Sequence, residues 1–155
     1  MSQNASNTQP FKRFLFYQTH DFKIDKNNRT FHNPHRMKKI VEKPWGHEEW
    51  WALTEHYVAK ILHIKTGESL SLQYHQKKDE TIRVLSGVLQ LEVEEQGILV
   101  VRVMHPGDIY HITPPTKHRM QAIEACDIIE VSTPEVEDVV RLEDRYGRIT
   151  NKPST

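Results

Sequence analysis

Residues 67–87 read GESLSLQYHQKKDETIRVLSG. From Ser69 to His75 apolar and polar residues alternate. Successive side chains of a strand point to opposite faces, so Leu70, Leu72 and Tyr74 share one face and Ser69, Ser71, Gln73 and His75 the other. Glu80 opens a second β-rich run, Thr81–Leu85, which stops at Ser86-Gly87. A hairpin between the two runs would return the Glu80 carboxylate to the face that carries Gln73 and His75.

The same rhythm continues on both sides. Tyr57–Lys65 alternates and stops at Thr66-Gly67. Val88–Val93 is followed by a Gln96-Gly97 turn and a further run at Ile98–Met104. A His105-Pro-Gly-Asp108 turn precedes Ile109–Ile112, and the Thr113-Pro-Pro-Thr116 loop precedes Arg119–Ile123 and Asp127–Val131. Strands of about 5 residues separated by turn signals predict an all-β sandwich or barrel. Ser132-Thr-Pro-Glu135 has the form of a capping box with proline just inside the start, which predicts a short C-terminal helix through Val139–Leu142.

Composition narrows the functional classes. A chain of 155 residues fits one domain. Its 21 Lys+Arg balance 21 Asp+Glu, which argues against a nucleic-acid partner. No run approaches the ~20 apolar residues of a membrane helix. Met1–Pro10 lacks the hydrophobic core of a secretory signal, so a cytoplasmic protein is expected. The single cysteine, Cys126, excludes an internal disulfide framework and reads as a buried apolar filler. Among the first 38 residues the only acids are Asp21 and Asp25, against seven Lys or Arg. With Phe14, Phe16 and Tyr17 also there, residues 1–38 read as an N-terminal arm or tail, 39–150 as a single barrel domain, and 151–155 as a tail. Trp50-Trp51 reads as a hydrophobic plug or subunit contact.

Gln73, His75, Glu80 and His118 are the candidate metal ligands. Two imidazoles, one carboxylate and one amide oxygen suit a divalent ion, Zn foremost, with Mn, Fe, Co or Ni as alternatives. Taken singly, any of these histidines reads more readily as a structural or solvated residue. Their spacing carries more weight. From Gly67, five residues intervene before Gln73, one before His75, four before Glu80 and six before Gly87.

This spacing resembles the first motif of the cupins, with Gln73 where the motif usually has its first histidine. Gly107, with ten residues intervening before His118, resembles the second motif, although Thr113 and Pro115 replace its usual proline and glycine and Ala122 its asparagine. The resemblance implies a cupin-type double-stranded β-helix, or jelly-roll barrel, holding a metal. Val41-Glu-Lys-Pro-Trp-Gly46, Ser69–His75 and Val139-Val-Arg-Leu-Glu-Asp-Arg-Tyr-Gly-Arg148 further resemble the type II mannose-6-phosphate isomerase cupin domain. That narrower likeness implies a metal-dependent aldose–ketose isomerase acting on a sugar phosphate, and a homodimer. It also suggests Glu130 and Lys60 as catalytic bases and Arg141 and Lys78 as phosphate or hydroxyl contacts. The segment Lys78-Asp-Glu-Thr-Ile82 departs from the family's usual Arg-Ala-Glu-His-Trp, and Lys78 lacks the planar fork of arginine. Two other readings stay open. Two histidines and a carboxylate are also a non-haem iron set for oxygen chemistry. A non-catalytic sugar- or metabolite-binding cupin would tolerate the altered segment.

Overall fold

The computed structural model describes residues 22–24, 30–32 and 39–149, and the chain divides into two compact units, 1–35 and 36–155. In the first unit β1 (Phe22–Ile24) pairs antiparallel with β2 (Thr30–His32) as a small sheet of its own. The rest of the expected arm or tail over 1–38, and the 151–155 tail, lie outside the described residues.

The second unit is a nine-stranded antiparallel sheet folded on itself. Its strands are β3 (Lys39–Lys43), β4 (Gly46–Leu53), β5 (Val58–Ile64), β6 (Leu72–Tyr74), β7 (Glu80–Glu95), β8 (Ile98–Met104), β9 (Ile109–Ile112), β10 (His118–Ser132) and β11 (Val140–Glu143). The early half of β7 pairs with the late half of β10 and with β9, and β10 passes the pairing on to β5, β4 and β3. The late half of β7 pairs with the early half of β10 and with β8, and β10 continues to β6 and β11. Two layers result, β9-β7-β10-β5-β4-β3 and β8-β7-β10-β6-β11, sharing their two long strands. The inward positions of both layers form one apolar core around Leu62, Ile82, Val84, Leu89, Leu91, Met120 and Ile128. Burial of each such side chain contributes roughly 1.5–3 kcal/mol.

The expected pairs of short strands around Ser86-Gly87 and around Glu124 are instead single bent strands. Successive register shifts between Ala122 and Ile128 turn β10, and Gly87 turns β7 beside it. Gly87 has φ +74°, and a Cβ there would stand 2.1 Å from the Ala125 carbonyl oxygen. Only glycine permits that approach, so what reads locally as a turn is a bulge in a paired strand. Nor do β6 and β7 form the expected hairpin. Each pairs with β10, and the 75–79 turn carries the chain across from one layer to the other.

The expected C-terminal helix is absent among the described residues. The Ser132 hydroxyl donates to the Thr133 carbonyl instead of capping the next turn, and Val140–Glu143 becomes β11. The competing interaction is Asp138, whose carboxylate accepts the backbone N–H groups of Gln76 (3.1 Å), Lys77 (2.6 Å) and Lys78 (2.9 Å). A helix would carry Asp138 away from those donors. Among the described residues no helix is long and apolar enough to cross a membrane.

Gly67 also has a positive φ, +75°, but with open space around it. Gly67→Ala is therefore expected to cost only about 1–2 kcal/mol of left-handed strain. Gly87→Ala adds the clash with Ala125 and should cost at least twice as much. Urea unfolding of the two variants checks this, and equal losses would contradict the bent-strand reading.

Candidate metal centre and its cavity

His75 directly follows β6, Glu80 is the first residue of β7, and His118 is the first of β10. The bend of the long strands folds these ends over one another. His118 Nε2 lies 3.1 Å and His75 Nε2 3.6 Å from the same oxygen, Glu80 Oε1, and the two rings are 5.4 Å apart. All three residues are at least 96% buried, and their ligand-type atoms lie within 4.8 Å of one another.

Each imidazole is oriented from behind by a backbone carbonyl. His118 Nδ1 meets the Thr116 oxygen at 3.0 Å, and His75 Nδ1 meets that of Asp138. A carbonyl can only accept, so each Nδ1 carries a proton and each ring points its Nε2 inward. His75 Nε2, His118 Nε2 and Glu80 Oε1 are all buried with no hydrogen-bond partner. Two imidazole nitrogens and a carboxylate oxygen buried so close together need a proton or a metal cation between them. This donor set fits a divalent ion, and carbonyl-anchored histidines are the usual support of such a site. Gln73 stands opposite His118 in the β6–β10 register, and its amide oxygen accepts from Ser71 Oγ at 2.8 Å. A second lone pair of that oxygen remains available.

The other carboxylate oxygen of Glu80 begins a chain of alternating charge. Lys78 Nζ lies 2.5 Å from Glu80 Oε2 and 2.7 Å from Glu130 Oε1. Lys60 follows at 3.4 Å from Glu130, then Glu48 at 3.9 Å from Lys60, then Lys43 at 3.3 Å from Glu48. Trp50 Nε1 donates to Glu48 at 2.7 Å, and the Lys60 ammonium sits 4.4 Å above the Trp50 ring. Burial opposes the charge on Lys78, but Glu130 and Glu80 outweigh it and raise its pKa well above the ordinary lysine value. Burial likewise pushes the Glu80 carboxyl up, and the facing His118, His75 and Lys78 overcome this and hold it low. Glu130 is held low against its own burial by Lys78 and Lys60.

Lys43, Glu48, Trp50, Lys60, Lys78 and Glu130 line a cavity of about 300 Å³ that also exposes Gln73, His75, Arg141 and Arg148, whereas Glu80 and His118 lie behind its wall. Five cationic side chains face it against the carboxylates of Glu48, Glu130 and Glu137. Arg148 is tied to Asp144, with Nε 3.0 Å from Oδ1. Arg141 is not tied: its Nε is buried without a partner, and no hydrogen bond or ion pair holds the guanidinium among the described residues. The structure thus brings the candidate ligands together and gathers Lys60, Lys78, Glu130 and Arg141 around one space. Cys126 lies outside it, buried, with its thiol pushed up to about 11 by burial and by Asp127.

The residues 27–144 match the family model described as Mannose-6-phosphate isomerase C-terminal. The chain belongs to that family. ManC of Salmonella typhimurium, a mannose-1-phosphate guanylyltransferase, is 32% identical over 120 residues, covering 74% of this chain and 24% of its own. The chain thus spans about a quarter of the length of the curated relatives it matches. KdgF from Halomonas sp. superposes with a TM-score of 0.57 at 22% identity over 70% of this chain and 96% of that one. Oxalate decarboxylase from Bacillus subtilis reaches 0.61 at 16% identity over 68% and 30%. Both share the cupin fold.

From the sequence Glu48 has no assigned role, and Trp50 reads with Trp51 as a hydrophobic plug or subunit contact. Period 2 in His47-Glu48-Glu49-Trp50 was the available signal: it sends Glu48 and Trp50 inward and leaves Trp51 48% exposed beyond a β4 bulge. Lys78→Met would leave two buried carboxylates facing each other, an expected loss of about 3–5 kcal/mol at neutral pH. In wild type Glu80 and Glu130 have depressed pKa values, so their contribution is present above the unfolded carboxylate range and is lost as pH falls through the folded values. In the variant those values rise, and stability should instead fall as pH increases. Thermal unfolding of both proteins from pH 3 to 8 checks the reversal.

Proposed function

We propose that the protein is a metal-dependent aldose–ketose isomerase acting on a sugar phosphate. One observation carries the reading: His118, Gln73 and Arg141 stand directly opposite one another across β10, β6 and β11. Opposed residues share a face. His75, one of the three metal-facing residues, and the unpartnered Arg141 guanidinium line the same cavity, and Arg141 stands two strand spacings, ~10 Å between Cα atoms, from His118. That separation suits a molecule with a carbonyl at one end and a phosphate at the other. The family's description and the ManC relative's name both concern mannose phosphates.

His75, Glu80 and His118, with Gln73 beside them, would hold a divalent ion. When bound, the ion would polarise the carbonyl and neighbouring hydroxyl of an open-chain sugar. Arg141 would bind the phosphate and fix the register of the chain in the cavity. Glu130, ionised and facing the same space, would take the proton from C2 and return it to C1, passing through a cis-enediol, while the hydroxyl proton of O2 passes to O1. Lys60 would steady the carboxylate, and Lys78, with one N–H beyond those given to Glu80 and Glu130, would donate to a substrate oxygen. A second reading, a binding protein without turnover, is favoured by Glu130 itself: a carboxylate held low by two lysines is a weak base.

Elemental analysis should find a divalent metal in the purified protein that is largely lost in His75→Ala and His118→Ala and reduced in Gln73→Ala, with the circular dichroism unchanged. Equal metal content in all four proteins would reject the ligand assignment. The metal-loaded protein is expected to convert mannose 6-phosphate to its ketose in a coupled assay. Binding without conversion across Zn, Mn, Fe, Co and Ni would leave the second reading. Arg141→Ala should weaken binding of mannose 6-phosphate about a hundredfold and of mannose by less than about threefold. Calorimetry on the two ligands checks this, and equal losses would remove Arg141 from the phosphate end.

A further inference from the structure

The turn 75–79, which carries the chain from His75 to Glu80, is laced at both ends to the segment 133–139 between β10 and β11. At one end the Thr133 amide donates to the Asp79 carbonyl at 3.0 Å, and the Asp79 amide donates to the Thr133 hydroxyl at 3.1 Å. At the other end the ties pass through one residue, Asp138. Its carboxylate accepts the successive amides of Gln76, Lys77 and Lys78, and its carbonyl accepts from His75 Nδ1. Hydrogen bonds to an ionised acceptor are roughly twice as strong as neutral ones. The side chain of Asp138 thus grips the turn while its main chain orients the imidazole at the start of that turn. His118 needs no such help, because its carbonyl anchor, Thr116, lies two residues away in the same strand end, whereas that of His75 is 63 residues distant.

The register of β6 against β11 explains the position. Val140 is opposed to Tyr74 and Arg141 to Gln73, so Asp138 falls beside Gln76, just past the last pair. Its carboxylate continues the ladder where the main chain leaves it to turn. Both ends of the site are thereby referred to one point. His75 hangs on the Asp138 carbonyl, and the unpartnered Arg141 guanidinium follows a few residues further along the same segment. Glu137 and Val139, the neighbours of Asp138, line the cavity, but Asp138 does not. It therefore acts on the site only through the residues it holds. Reacting groups gain most from such fixed spacing when one molecule must meet both at once.

We infer that Asp138 is a positioning residue of this site: its grip on the 76–78 amides holds His75 in the orientation of a metal ligand and sets its spacing from Arg141. The inference rests on the reading of His75 as a ligand. Asp138→Ala removes the grip, and Asp138→Asn keeps one oxygen for it. Competition against a chromophoric chelator, on the full chain, should show zinc held about 10–100-fold more weakly by Asp138→Ala, with Asp138→Asn between it and wild type. On a His75→Ala background the same Asp138→Ala change should alter the zinc dissociation constant by less than about threefold, because the effect passes through the ring. Proton NMR of the metal-free protein should show the buried Nδ1 protons of His75 and His118, and Asp138→Ala should lose the first and keep the second. Unchanged zinc affinity in Asp138→Ala overturns the inference, as does an equal loss on the His75→Ala background or a persisting His75 Nδ1 proton. If Asp138→Ala does not fold by circular dichroism, Asp138→Asn carries the same comparisons. A wild type that holds no divalent metal rejects the ligand reading itself and this inference with it, a failure distinct from the others.

Discussion

The approach of Gly87 to the Ala125 carbonyl is the constraint on which this fold turns. Two neighbouring strands bend at the same level and stay paired on both sides of the bend. Because β7 and β10 run antiparallel, the residue that opens one lies in one layer and the residue that opens the other lies in the opposite layer. Folding the layers together sets Glu80 against His118. The convergence of Glu80 and His118, distant in sequence, thus follows from one bulge, and His75 joins them from the turn that links the two layers.

Polar groups so deeply buried are tolerable only if charge is matched locally, and the cavity wall shows how. Every carboxylate from Glu80 to Glu48 has an ammonium beside it, and Lys60 and Lys78 each lie between two carboxylates. A compact ammonium bridges two carboxylates more readily than the planar guanidinium fork, which favours a single bidentate partner. Lysine at position 78 is therefore a substitution with structural sense. It also fixes Glu80: one oxygen is committed to Lys78, which leaves the other to face the imidazoles.

Much of this was legible in the sequence, where the signals were local. Period 2 located most strands, and the spacing from Gly67 to Gly87 singled out His75 and Glu80, two of the three residues that converge. What escaped was decided by contacts distant in sequence. Ser86-Gly87 has the composition of a turn, and only the pairing of β7 with β10 on both sides makes it a bulge. Ser132–Glu135 has the composition of a helix start, yet the three amides of residues 76–78 hold Asp138 in place. The β3–β4 hairpin, which brings Glu48 and Trp50 to the cavity, turns at Pro44-Trp45. A buried tryptophan supports that corner from the core side.

The two faces of the six-stranded layer treat charge differently, and the difference is geometric. Inward, Lys60 and Glu130 occupy adjacent strands in direct register, so opposite charges meet within the chain. Outward, β5 and β10 present Ile61 and Ile129 at the corresponding level and hold Glu49 and Arg83 apart. An inward arrangement of that kind would leave buried ions uncompensated, at a cost of several kcal/mol each. On the outside, water tolerates the separation. The same alternation that builds the cavity wall therefore leaves on its back an apolar stripe bracketed by opposite charges.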